Sequence, residues 1–96
     1  MITRLVQLDI SPAHIDAFIQ IFESARPRIL RSEGCLNVVL LQNVDSPSKL
    51  STLSTWESTE ALNLYRGTDF FKETWAASRQ LFQGRAQASS HVTINK

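Results

Sequence analysis

The feature that most constrains this chain is an abrupt change of hydrophobic period near its start. Ile2, Arg4, Val6, Leu8 and Ile10 share one parity and Thr3, Leu5, Gln7 and Asp9 the other, which is the period-2 pattern of a half-buried strand with Arg4 as the one charge on its apolar side. Ser11-Pro12 follows, an N-cap residue and a first-turn proline, and then Ile15, Phe18, Ile19 and Phe22 recur at i, i+3, i+4 and i+7. That spacing predicts an amphipathic helix packed on the strand before it.

The pattern then repeats. Pro27 removes one backbone hydrogen bond from the continuation and predicts a kink or a fresh helical start, and Gly34 is placed to close the stretch. Cys35 to Leu41 is apolar on both faces, as a strand covered on two sides would be. Asn43 to Ser48, with Pro47, reads as a turn, and Leu50 to Trp56 as a third strand. Ser58 caps a short helix carrying Ala61, Leu62 and Tyr65 that Gly67 ends. Thr68 or Asp69 caps another, with Phe71, Trp75, Ser78 and Phe82 on one stripe, that Gly84 stops. Ala86 to Ile94 alternates as a last strand.

The order is βαββαβ with the second helical segment split in two, which predicts an α+β, ferredoxin-like fold with the helices on one face of the sheet. At 96 residues the chain is expected to form a single domain over 1–96. Leu5 and the two-sided apolar second strand would leave a wet apolar face in a monomer, so a homodimer is expected. A net charge of +1, with Arg26, Arg28 and Arg31 as the one local basic cluster, argues against a nucleic-acid partner. No 18-residue apolar run is present, so no membrane partner is expected. A sole cysteine, Cys35, and a first segment that reads as strand rather than signal core point to the cytoplasm.

The segment Trp56-Glu57-Ser58-Thr59-Glu60-Ala61-Leu62 resembles an element of the antibiotic biosynthesis monooxygenase domain that ends a strand and opens a helix. Gly34-Cys35 opening the second strand, and Thr68-Asp69-Phe70-Phe71-Lys72 opening the last helix, agree with the same family in order and spacing. The resemblance implies a dimeric α/β barrel, each protomer's sheet packed on its partner's, with a ligand cavity between each sheet and its own helices. It also implies oxygenation of quinols or anthrones without metal or flavin, so no cofactor is expected. A tryptophan of the anthrone-oxidising members matches Trp56, whereas their asparagine four residues earlier is Thr52 and their tyrosine six residues later is Leu62. The positions of a haem-degrading branch fall on Val6, Tyr65 and Trp75, which provide no axial histidine.

Direct oxygenation needs few protein groups, because a phenolate or enolate can itself give an electron to triplet dioxygen. The protein has to bind the ligand, accept a proton and exclude water. His91 is the candidate base, since an imidazole titrates near neutral pH, although it alternates opposite the apolar side of its strand. Tyr65 is the second catalytic candidate, through its hydroxyl. Trp56 and Tyr65 are candidates to line a flat aromatic pocket, with Asn37 and Thr52 as polar neighbours. Two readings stay open: a cofactor-independent monooxygenase of an electron-rich aromatic such as a hydroquinone or anthrone, or a non-catalytic dimeric ligand-binding or interaction domain. A cavity with Trp56 and Tyr65 facing inward favours the first; one filled by the phenylalanines and Trp75 favours the second.

Overall fold

The computed structural model of the chain describes residues 1–95. Strands β1 (Ile2–Asp9), β2 (Cys35–Gln42), β3 (Lys49–Trp56) and β4 (Gln87–His91) form one antiparallel sheet in the order β2-β3-β1-β4. Helices α1 (Ile15–Leu30), α2 (Thr59–Arg66) and α3 (Asp69–Arg79) complete the expected ferredoxin-like order, with the second helical segment split at Gly67-Thr68.

Strand alternation decides which side chains meet the helices. Trp56, Ser54, Thr52 and Leu50 of β3 stand opposite Ile2, Arg4, Val6 and Leu8 of β1, and Val38 stands opposite Ser54. Phe22, Ala25 and Ile29 of α1 and Leu62 of α2 pack with Val38 and Trp56 as one buried cluster; Leu8, Ile10, Phe18 and Leu50 make a second. Each large apolar side chain so buried contributes about 1.5–3 kcal/mol relative to exposure. Ser58 and Thr68 cap α2 and α3 as expected, accepting from the backbone N–H of Ala61 and Phe71, both at 3.1 Å.

Several boundaries differ from the sequence reading. Ser11 makes no side-chain cap bond; its carbonyl instead accepts from His14 N–H at 2.8 Å, and Pro12–His14 is a 3-10 turn before α1. Helix α1 runs through Pro27 without a break. Ala25 and Ile29, on either side of that proline, are buried in the same cluster, so packing outweighs the lost hydrogen bond. The helix ends at Leu30 rather than Gly34, which lies in the following turn with φ +80°. Helix α3 ends at Arg79, well before Gly84. The chain beyond it is drawn onto the end of β1 by an Ile10–Phe82 bridge and a 2.9 Å bond from Ser11 N–H to Leu81 O, which replaces further helical turns. Asp9 pins the same segment through Gln83 Nε2 at 2.7 Å and binds Lys49 Nζ at 3.0 Å.

The last strand is shorter than expected. Its ladder pairs His91 with Thr3 and stops as β1 runs out, leaving Val92 and Ile94 exposed. Strand β2 lies at one edge of the sheet, and within a single protomer Leu36 and Leu41 are 47% and 46% exposed.

Candidate functional site

A cleft of about 280 Å³ lies between the helices and the inner face of the sheet. Its floor follows from period-2 alternation, with Arg4, Val6 and Leu8 from β1, Thr52, Ser54 and Trp56 from β3, and Val38 and Ala88 from the flanking strands. Helical spacing builds the roof. Phe18 and Phe22 come from α1, Leu62, Tyr65 and Arg66 from α2, and Phe71, Thr74, Trp75 and Ser78 from α3 at i, i+3, i+4 and i+7.

One wall is a run of rings. Trp56 is 1% exposed, and its indole N–H donates to Ser54 Oγ at 2.9 Å. It stacks on Tyr65 at 5.1 Å between centroids. Tyr65 meets Phe71 edge-on at 5.3 Å, and Phe71 lies nearly parallel to Trp75 at 6.2 Å. Such contacts hold the wall rigid beyond what area burial alone provides. Phe71 and Trp75 therefore border the cleft and do not fill it.

Burial pushes the Tyr65 phenol up to about 12, with the neighbouring Cys35 as a second cause. The group stays protonated at neutral pH and can donate a hydrogen bond to a ligand but cannot take its proton. In the folded chain it also resists ionisation where the unfolded chain yields, so stability is lost as pH rises from about 10 to about 12. Burial likewise raises the Cys35 thiol, which fits a packed side chain rather than a nucleophile.

Of the residues proposed from sequence, Trp56, Tyr65 and Thr52 meet in the cleft. Asn37 does not. A bulge between Cys35 and Asn37 inserts Leu36, so Asn37 pairs with Thr55 on the outer face, although simple alternation would have put it on the side of Cys35. His91 does not either: it pairs with Thr3 on the outer face, is exposed, and shares a 2.8 Å hydrogen bond with Ser89 Oγ. Among the described residues no histidine or carboxylate lines the cleft. Sequence reasoning missed Arg4 and Arg66 as cleft residues. The signal for Arg4 was its charge on the apolar parity of β1; Arg66, the last residue of α2, carried none beyond its i+4 spacing from Leu62.

The basic cluster at the end of α1 is used structurally, with Arg26 Nε donating to Val38 O at 2.8 Å and Arg28 lying over the Phe70 ring at 4.5 Å. Among the described residues no group of three or more His, Cys, Asp or Glu could hold a metal ion, and no helix is long and apolar enough to cross a membrane.

The fold recurs in solved structures. A conserved protein from Methanosarcina mazei Go1 superposes with a TM-score of 0.89 at 21% identity, over 95% of this chain and 91% of that one. A structure described as an antibiotic biosynthesis monooxygenase gives 0.91 at 16% identity over 99% and 100%. SnoaB, a cofactor-independent oxygenase from Streptomyces nogalater, solved as a point variant, gives 0.89 at 16% over 99% and 94%. At these identities the likeness is one of fold. No curated protein sequence matches the chain. The family model described as antibiotic biosynthesis monooxygenase matches residues 1–77, the span that runs from β1 to within two residues of the end of α3, and the chain belongs to that family.

Proposed function

We propose that this protein is a cofactor-independent monooxygenase that holds an electron-rich aromatic, a hydroquinone or an anthrone, in the cleft between sheet and helices. The observation that carries this reading is an open cavity walled by Trp56 and Tyr65. Likeness in fold to a cofactor-independent oxygenase supports it. An anthrone methylene would lose two hydrogens and gain one oxygen atom as a carbonyl while the second leaves as water, so electrons balance without another reductant. A hydroquinone would likewise gain one oxygen atom at a ring carbon, giving the hydroxyquinone while the second oxygen leaves as water, again without another reductant.

Trp56, Tyr65 and Thr52 orient the ring in this reading, and Tyr65 donates to a substrate oxygen. His91 stands across the sheet, so the proton leaves the substrate for solvent rather than for a side chain. Oxygen uptake by metal-free protein on a panel of anthrones and quinols is expected to exceed the autoxidation blank. The rate should follow the substrate's own ionisation, with kcat/KM rising through the substrate pKa, and His91→Ala should leave that limb in place. If no member of the panel exceeds the blank, the non-catalytic ligand-binding reading takes its place.

The working unit in this proposal is a cytoplasmic homodimer of one domain over residues 1–96, joined sheet to sheet as an α/β barrel. The outer sheet face supports it, since Leu5, Val39 and Leu53 lie there beside the exposed Leu41. Sheet-to-sheet interfaces of obligate type bury roughly 2,000 Å² or more. Light scattering on an eluting peak at low micromolar concentration is expected to give twice the 10.8 kDa protomer mass. A mass of one protomer would refute the dimer.

A further inference from the structure

We propose that Arg4 and Arg66 make the cleft an anion-selective site, which takes planar aromatic ligands carrying a carboxylate, phenolate or enolate oxygen. Both arginines line the same cavity. Arg4 occupies a floor position in β1 between Ile2 and Val6, where the strand's alternation calls for an apolar side chain and where its neighbours across the ladders are Ser54 and Ser90. Its one side-chain bond runs from Nη1 to Ser90 Oγ at 3.0 Å, a neutral acceptor.

Neither arginine has an acidic partner. Among the described residues the sole pairing of a Lys or Arg with a carboxylate within 4.0 Å is Lys49 with Asp9, outside the cleft. Burial, and then the charge of Arg66, hold Arg4 below the ordinary arginine range. Two like charges beside one apolar cavity, with no protein anion between them, favour a ligand that brings the negative charge. The position of Arg66 at the C-terminus of α2 offsets that helix's dipole, but the dipole does not explain Arg4, which lies on a strand.

The chemistry follows from the geometry. An anionic oxygen held by two guanidinium groups has its pKa lowered, so the pair would favour the ionised, oxygen-reactive form of the substrate without a side-chain base. The inference rests on the cleft being the ligand site of the proposed monooxygenase, and it does not require turnover.

The test uses the full chain with 2-naphthoate and its neutral analogue 2-naphthamide, titrated by calorimetry. Naphthoate is expected to bind at least about tenfold more tightly, as fits charge-assisted hydrogen bonds, and to weaken as salt rises while naphthamide does not. Arg4→Met and Arg66→Met should each bring naphthoate towards the naphthamide affinity and leave naphthamide within about twofold, and Arg66→Lys should retain part of the preference. Arg66 is exposed, so its variants remain informative if Arg4→Met lowers stability. Equal affinity for the two ligands, equal losses of both in the variants, or no saturable binding of either would overturn the proposal. A naphthoate preference without any oxygen uptake would leave this site standing and remove the monooxygenase reading, whereas uptake with no preference for the anion would do the reverse.

Discussion

Trp56→Ala is expected to cost about 3–5 kcal/mol of folding stability, in the range for a fully buried large aromatic. The indole, at the end of β3, is 1% exposed, stacks on Tyr65, and packs with α1, α2 and Val38 of β2. Its removal leaves a cavity and also strands Ser54 Oγ, which is nearly buried and has the indole N–H as its partner. Against a total of about 5–15 kcal/mol for a domain, that loss is a large fraction. Urea denaturation at fixed protein concentration, so that any association is held constant, reads it as a fall in midpoint. A loss under about 1 kcal/mol would show that Trp56 is not the keystone of the inner cluster. The same burial makes alanine a blunt probe of ligand binding at this position, and Trp56→Phe, which keeps a ring in place, is the better variant for the oxygen-uptake assay.

Gly34→Ala is the second large effect. Gly34 has φ +80°, a region that costs a non-glycine residue roughly 1–2 kcal/mol. A Cβ there would lie 2.5 Å from Ala61 Cβ, well inside contact distance. The turn cannot simply back away, because Gly34 O accepts from Glu57 N–H at 2.8 Å and so ties the entry of β2 to the start of α2. Strain and overlap together are expected to destabilise by more than about 2 kcal/mol. Adding Ala61→Gly removes the overlap and keeps the backbone strain, so the double variant should be less destabilised than the sum of the two single changes, by about 0.5–3 kcal/mol of coupling. Additive losses would mean that the two residues do not meet.

These two sites also show what was legible in the sequence. Trp56 could be read as a strand end and Gly34 as a turn residue from local signals, because alternation, caps and glycine are written within a few positions of one another. The strand and helix order and the inward faces of β1, β3 and α3 were accessible for the same reason. Helix ends were less so. Gly84 carries the local stop signal for α3, yet the chain leaves the helix after Arg79 because Leu81 O accepts from Ser11 N–H and Gln83 N–H donates to Asp9 O, pairing Phe82 with Ile10 in a contact distant in sequence.

The candidate site divides along the same line. Trp56, Tyr65 and Thr52 reached the cleft because nothing interrupts the periods that carry them. Asn37 was turned outward by one inserted residue, Leu36, which no local pattern announces. His91 had the outward parity already, and its functional candidacy rested on its titration range rather than on its place in the strand. Arg4 was visible as a break in the pattern, but its significance depended on Arg66 arriving beside the same cavity from a helix more than sixty residues later.

An aromatic ligand is expected to enter the cleft between sheet and helices, and the two tryptophans provide a direct reading of its entry. Trp56 and Trp75 both line that cleft and each contributes one indole N–H resonance, whereas His91 and Asn37 report on the outer face. In a two-dimensional NMR titration with an unreactive planar ligand, anthraquinone-2-carboxylate, both indole signals are expected to shift saturably and together while the amides of Asn37 and His91 stay in place. Saturable shifts at Asn37 and His91 with both indole signals unmoved would put the ligand on the other side of the sheet and contradict the account.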